Sequence, residues 1–170
     1  MKILVVVDMQ NDFIDGALGT PEAQAIVPNV INKINKYKAE RNSIVYTADT
    51  HRADYLNTIE GNKLPVPHCI KGTDGWKIPD KILQDGKILE KQTFGCTTLH
   101  DYIRTNFYDI ESIEVIGLCT DICVISNVML LKAYFPNTPI IVDSACCAGV
   151  TPESHIRALE AMKMCHIEVV

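Results

Sequence analysis

Residues 112–124 read Ser-Ile-Glu-Val-Ile-Gly-Leu-Cys-Thr-Asp-Ile-Cys-Val, SIEVIGLCTDICV. Ile113, Val115, Ile116 and Leu118 form a short apolar run of β character. The run breaks over Gly117 to Asp121 and passes into a helical pattern from about Cys123 to Tyr134. That helix is apolar around most of its circumference, which predicts deep burial. A buried strand that turns straight into a helix puts the first helical residues beside free backbone N–H groups. A thiol there sees positive potential and ionises more readily. Cys123 is therefore a candidate nucleophile, although the position alone also suits a small core thiol.

Working outward, the same unit recurs. Ile3 to Val7 is a buried strand ending at Asp8. Thr20-Pro21-Glu22 reads as cap, first-turn proline and first-turn acid, and opens a helix to about Lys38 that Pro28 is expected to split. Ser43 to Ala48 is a second strand, ending in Asp49. Residues 50–77 lack periodicity, which in a compact chain points to a functional segment. A short helix is expected at Pro79 to Leu83, a strand at Ile88 to Lys91 and a helix at Thr97 to Thr105. Pro139 to Asp143 is a fifth strand, Thr151-Pro152-Glu153 opens a last helix, and His166 to Val170 is a sixth strand. Strands alternating with helices predict an α/β fold of three layers, α/β/α, on a six-stranded, mostly parallel sheet. A length of 170 residues fits one domain, residues 1–170.

The composition, 47% hydrophobic and 22% charged with a net charge of −5, is that of a globular protein without a basic stripe, so nucleic acid is not an expected partner. The Ile3–Val7 run is too short to cross a membrane. Seven cysteines, an odd number with no CxxC spacing, suggest free thiols in a reducing, cytoplasmic setting. Cys146, Cys147 and Cys165 are expected to be packing residues. No organic cofactor is expected.

In an open parallel sheet, ligands bind beyond the carboxyl ends of the strands. Asp8, Asp49 with His51, Lys91, and then Cys119 and Cys123 all fall at those ends. Asp8, partly desolvated, would accept the thiol proton. Lys91 would stabilise the thiolate. The same residue types also allow a cap at Asp8 and a solvated lysine at 91. Cys119 and Cys123 together could instead make a redox pair. Asp49, His51 and His68 are a candidate metal set, and carboxylate with imidazole suits zinc, iron or manganese. His100, His155 and His166 lie in structural contexts.

These residues resemble the isochorismatase-like cysteine hydrolases, which include the nicotinamidases. The resemblance runs through Val7-Asp8-Met9-Gln10-Asn11-Asp12-Phe13, Thr47-Ala48-Asp49-Thr50-His51, Pro67 to Gly75 (PHCIKGTDG), Lys91 with Phe94, and Gly117 to Val124 (GLCTDICV). It implies that family's fold, an Asp8–Lys91–Cys123 triad and a cis peptide between Leu118 and Cys119. It further implies an oxyanion hole from the backbone N–H groups of Cys119 and Cys123. Phe13 would be a wall for the substrate, and a homo-oligomer is implied. The expected reaction is hydrolysis of a small carboxamide through a thioester. Vinyl-ether cleavage of the isochorismatase kind, which uses no thiol nucleophile, and a redox thiol protein are the alternatives. Two departures stand out. Tyr55 occupies the position where nicotinamidases place a second histidine, leaving Glu60 to complete a metal site. Leu64-Pro65-Val66 stands where a stacking tryptophan is usual, with Trp76 further along.

Overall fold

The computed structural model describes all 170 residues, Met1–Val170. Six strands form one sheet: β1 (Lys2–Val7), β2 (Ser43–Asp49), β3 (Lys87–Lys91), β4 (Ser112–Leu118), β5 (Ile140–Ala148) and β6 (Glu168–Val169). Their order is β3-β2-β1-β4-β5-β6, and every pairing is parallel. Ile3 to Val7 are fully buried, as a central strand covered on both faces requires. The chain winds outward from β1 in one direction and from β4 in the other. The crevice at that reversal, beyond the ends of β1 and β4, is where a ligand fits this architecture.

Of the helices, α1 (Asn11–Ile14) is a single turn and α2 (Pro21–Ala39) lies on one face against β2, β4 and β5. A short α3 (Ile59–Lys63) follows β2. On the other face α4 (Leu99–Asn106), α5 (Ile125–Tyr134) and α6 (Pro152–Met164) pack on one another. No helix is long and apolar enough to cross a membrane. The two expected caps form: Thr20 Oγ1 accepts from Ala23 N, and Thr151 makes a capping box with Ser154.

Five expectations need correction. Pro28 does not split α2, which runs through it unbroken. Pro28 and Gln24 are both exposed, so the carbonyl that loses its N–H partner faces water. Residues 79–83 make one turn and no helix. Ile82 and Leu83 both donate to Pro79 O, and the next donor, Gln84 N, goes to the Tyr46 hydroxyl at 3.0 Å, so the turn cannot propagate. The nucleophile helix does not begin at Cys123: Thr120–Val124 is a wide π-helical turn, with Val124 N donating to Cys119 O, and α5 starts at Ile125. Burial of α5 is one-sided, with Ile125 and Met129 only half covered. Lastly, Cys146 and Cys147 pack in the interior as expected, but Cys165 is exposed.

A charged cluster joins α2 to the sheet. Lys33 Nζ pairs with Glu114 Oε1 of β4 and lies 2.8 Å from Asp143 Oδ2 of β5. Tyr37 donates its hydroxyl to the other Glu114 oxygen at 2.6 Å. Glu114 is buried, so its charge depends on these partners. Lys33→Met should leave it uncompensated and lower stability by about 2–3 kcal/mol, a drop of roughly 1 M in urea midpoint. An unchanged midpoint would show the cluster to be energetically neutral.

Candidate active site

Register brings Asp8, Asp49 and Lys91 together at the crevice. Val7 pairs with Gly117 and Thr47, and Asp49 pairs with Lys91, so the residues at these strand ends stand side by side. Asp8 leaves β1 with φ 48°, a left-handed backbone that Asp tolerates better than most residues. Its carboxylate is wholly buried. Oδ1 accepts from Thr47 Oγ1 at 2.7 Å. Oδ2 lies 2.7 Å from Lys91 Nζ as an ion pair but receives no aligned hydrogen bond.

Lys91 is the junction of the site. Its ammonium reaches Asp8, the Thr93 carbonyl at 3.0 Å, Asp49 Oδ1 at 3.2 Å and Cys123 Sγ at 3.5 Å. Burial works against its charge, but Asp8, Cys123 and Asp49 outweigh that and keep it an ammonium. Burial raises the Asp8 carboxyl above its ordinary range, and Lys91 only partly offsets this. Burial also pushes the Cys123 thiol well up, reinforced by the Asp8 charge and opposed by Lys91. The expected lowering by helix and lysine is thus opposed at this sulfur by burial and by the Asp8 charge. What the geometry supplies is a carboxylate and a thiol that share one ammonium, Lys91, which reaches Asp8 Oδ2 at 2.7 Å and Cys123 Sγ at 3.5 Å.

The turn that carries Cys123 is tied down at several points. The Leu118–Cys119 peptide is cis, as the resemblance implied. Thr120 Oγ1 meets His155 Nδ1 at 2.7 Å, and Asp121 accepts from Val150 N at 3.2 Å. Asn127 donates to the Cys123 carbonyl at 2.8 Å. Above the sulfur opens a cavity of about 320 Å³ whose lining is mostly apolar, with Phe13, Leu18, Leu64, Phe94, Ile122 and Val150 among its walls. Cys119 also faces it; burial pushes its thiol up to about 12. Trp76 is not a wall. Its indole donates to Thr50 Oγ1, away from the cavity.

Beside the cavity, Asp49, His51, Glu60 and His68 bring four donor atoms within 4.8 Å of one another. His51 Nε2 is 3.0 Å from Asp49 Oδ2 and 3.7 Å from Glu60 Oε1; His68 Nε2 is 3.6 Å and 3.8 Å from the same two atoms. A tetrahedral ion with bonds of about 2.0–2.2 Å needs donors roughly 3.3–3.6 Å apart, so the set fits a divalent metal. Burial favours a protonated Asp49, but the His51 and His68 hydrogen bonds and the Lys91 charge outweigh it and hold this carboxyl low. Tyr55 contributes no donor. Its ring packs 4.7 Å from that of His51 and 5.0 Å from that of His68.

Two positioning residues were not read from the sequence. Gln10 clamps Asp49 from both sides, accepting from its N–H at 2.8 Å and donating to its carbonyl at 2.8 Å. Asp12 accepts from Cys69 N at 2.7 Å and so holds the His68 segment. Glu60 stood only as a substitute for a missing histidine. Its signal was Thr58, whose hydroxyl caps α3 by accepting from Gly61 N.

A family model described as the isochorismatase domain matches residues 2–170, so the chain belongs to the isochorismatase family. Within it, the relatives are nicotinamidase-related. The chain is 25% identical to the nicotinamidase/pyrazinamidase of Mycobacterium tuberculosis, over 100% of this chain and 98% of that one. It is 28% identical to a "probable inactive nicotinamidase" of Arabidopsis thaliana, over 94% and 87%. The pyrazinamidase of Pyrococcus horikoshii, solved in complex with zinc, superposes with a TM-score of 0.86 at 27% identity, covering 99% and 98%.

Proposed function

We propose that the protein hydrolyses a small, uncharged carboxamide, with Asp8, Lys91 and Cys123 as the catalytic triad. The observation that carries this reading is the line Asp8 Oδ2–Lys91 Nζ–Cys123 Sγ, at 2.7 and 3.5 Å, on the floor of an apolar cavity. Asp8 takes the proton from Cys123, and the thiolate attacks the amide carbon. The oxyanion that forms is stabilised by the N–H groups of Cys119 and Cys123. Asp8 then gives its proton to the departing nitrogen, ammonia leaves, and a thioester remains on Cys123. Water, deprotonated by Asp8, attacks the thioester carbonyl; collapse releases the acid and returns the thiol. Lys91 stays charged throughout and balances whichever of Asp8 and Cys123 is anionic.

Phe13 would flank the substrate body. Asp49, His51, Glu60 and His68 would hold a divalent ion, with zinc, iron and manganese all compatible with two imidazoles and two carboxylates. When bound, that ion supplies a Lewis acid beside the cavity that can fix a nitrogen or polar head of the substrate. The free cysteines accord with a cytoplasmic setting. The half-covered apolar residues of α5 accord with a homo-oligomer.

An ammonia-release assay over paired amides tests the reading. Nicotinamide and pyrazinamide should be turned over, and amides carrying a carboxylate should be slower by at least about tenfold, since most of the walls are apolar and give a second charge no partner. Chelator should reduce turnover, and added divalent metal should restore it. Release from none of these amides would overturn the amidase assignment. Preference for the anionic ones would overturn the substrate class.

A further inference from the structure

Asn127 sits inside α5, fully buried, where an apolar residue would be the ordinary choice. Its amide spans two separate segments. Oδ1 accepts from Cys96 N at 2.8 Å; Nδ2 donates to the Cys123 carbonyl at 2.8 Å and to the Phe94 carbonyl at 3.3 Å. The hydrogen bonds that join residues 93–96 to the nucleophile segment all run through this one side chain. The same loop presents the Thr93 carbonyl that accepts from Lys91 Nζ and carries Phe94, a wall of the cavity.

Lys91 ends β3 and Cys123 lies in the turn after β4, so their 3.5 Å contact is a tertiary one. We propose that Asn127 is a positioning residue for the reaction: it sets the loop after β3 against the turn after β4 and so holds the Lys91 ammonium beside the Cys123 sulfur. The hydrogen-bonded circuit is closed. It runs from the Cys123 carbonyl through Asn127 to Phe94 and Cys96, back along the loop to Thr93, on to Lys91, and returns to Cys123 at Sγ. Burying an amide costs free energy unless its bonds are made, and here three are made. Breaking them leaves the loop tied to the site only by the Thr93–Lys91 bond and by packing, and small displacements of a charge near a nucleophile carry large rate penalties.

This rests on the triad reading above, so its test uses a readout that needs no substrate. Two variants divide the circuit. Asn127→Asp keeps the acceptor for Cys96 N but loses both donors. Asn127→Ser can keep the bond to the carbonyl four residues back, at Cys123, and loses both loop contacts. The rate of Cys123 alkylation by iodoacetamide at neutral pH, read by peptide mass, should fall at least tenfold in both. In the ammonia assay kcat should fall by a similar factor with KM within about threefold. Folded variants that alkylate at the wild-type rate would refute the proposal and leave Asn127 a structural brace. If neither variant folds, the wild-type protein decides: the Asn127 side-chain amide protons should resist exchange for minutes or longer, and exchange within seconds refutes the clamp. Slowed alkylation without ammonia release from any amide would uphold the clamp and reject the amidase.

Discussion

Cys123→Ala should abolish ammonia release, lowering kcat by about 10⁴-fold or more, while the protein stays folded. Loss of a nucleophile removes the covalent route altogether, and what remains is substrate held near water and two N–H donors. The fold should survive because the change removes a single buried sulfur from a turn held by Thr120, Asp121 and Asn127. The cost of that small cavity is about 1–2 kcal/mol, or roughly 3–6 °C in Tm for a chain of this size. Acid-quenched wild-type protein should carry an acyl mass on Cys123, and the variant should carry none. Undiminished turnover in the variant would remove Cys123 from the mechanism. Wild-type protein that releases no ammonia would align this chain with its Arabidopsis relative instead.

Gly117→Ala should have the largest effect on stability. Gly117 has φ +121°, which an L side chain rarely adopts. A Cβ there would collide with the Val7 carbonyl oxygen and lie 2.9 Å from the Val7 carbonyl carbon and nitrogen. All three atoms are backbone in the adjacent, fully buried strand, so no side chain can rotate away. Separating β1 from β4 is the one relief, and it breaks the sheet at its centre, next to the site. A loss of about 4 kcal/mol or more is expected, against a typical total of roughly 5–15 kcal/mol. In urea that is a fall of about 2 M in midpoint, or failure to accumulate as folded protein. A midpoint equal to wild type would mean the two strands are not packed as described. Since the two substitutions lie six positions apart and act on different quantities, they separate chemistry from architecture.

Much of this molecule was legible along the chain. Buried parallel strands are apolar runs by necessity, and Thr-Pro-Glu marks a helix start wherever it occurs, so six strands and the main helices could be placed. Asp8 and Lys91 were legible because each stands where a strand stops, and Cys123 because it follows the break after β4. Less was visible between residues 50 and 77. That segment has no periodicity because its order comes from long-range bonds such as Asp12 to Cys69 and Gln10 to Trp76, which leave no repeating pattern. Pro28 misled for a different reason: its effect depends on whether water reaches Gln24, and the linear sequence does not record exposure.

The local signals of the chain, strand length, capping and the break after Gly117, were enough to specify the layers of the fold and which residue types stand at the rim. Distance and protonation were left to the tertiary structure. Whether Cys123 rests as thiol or thiolate depends on how deeply Asp8, Lys91 and the sulfur are buried together, with burial and Asp8 favouring the thiol and Lys91 the thiolate. Whether Glu60 can join Asp49, His51 and His68 depends on a five-residue helix packed against Tyr55. Both are sums over neighbours distant in sequence, since desolvation and Coulomb energy follow separation in space.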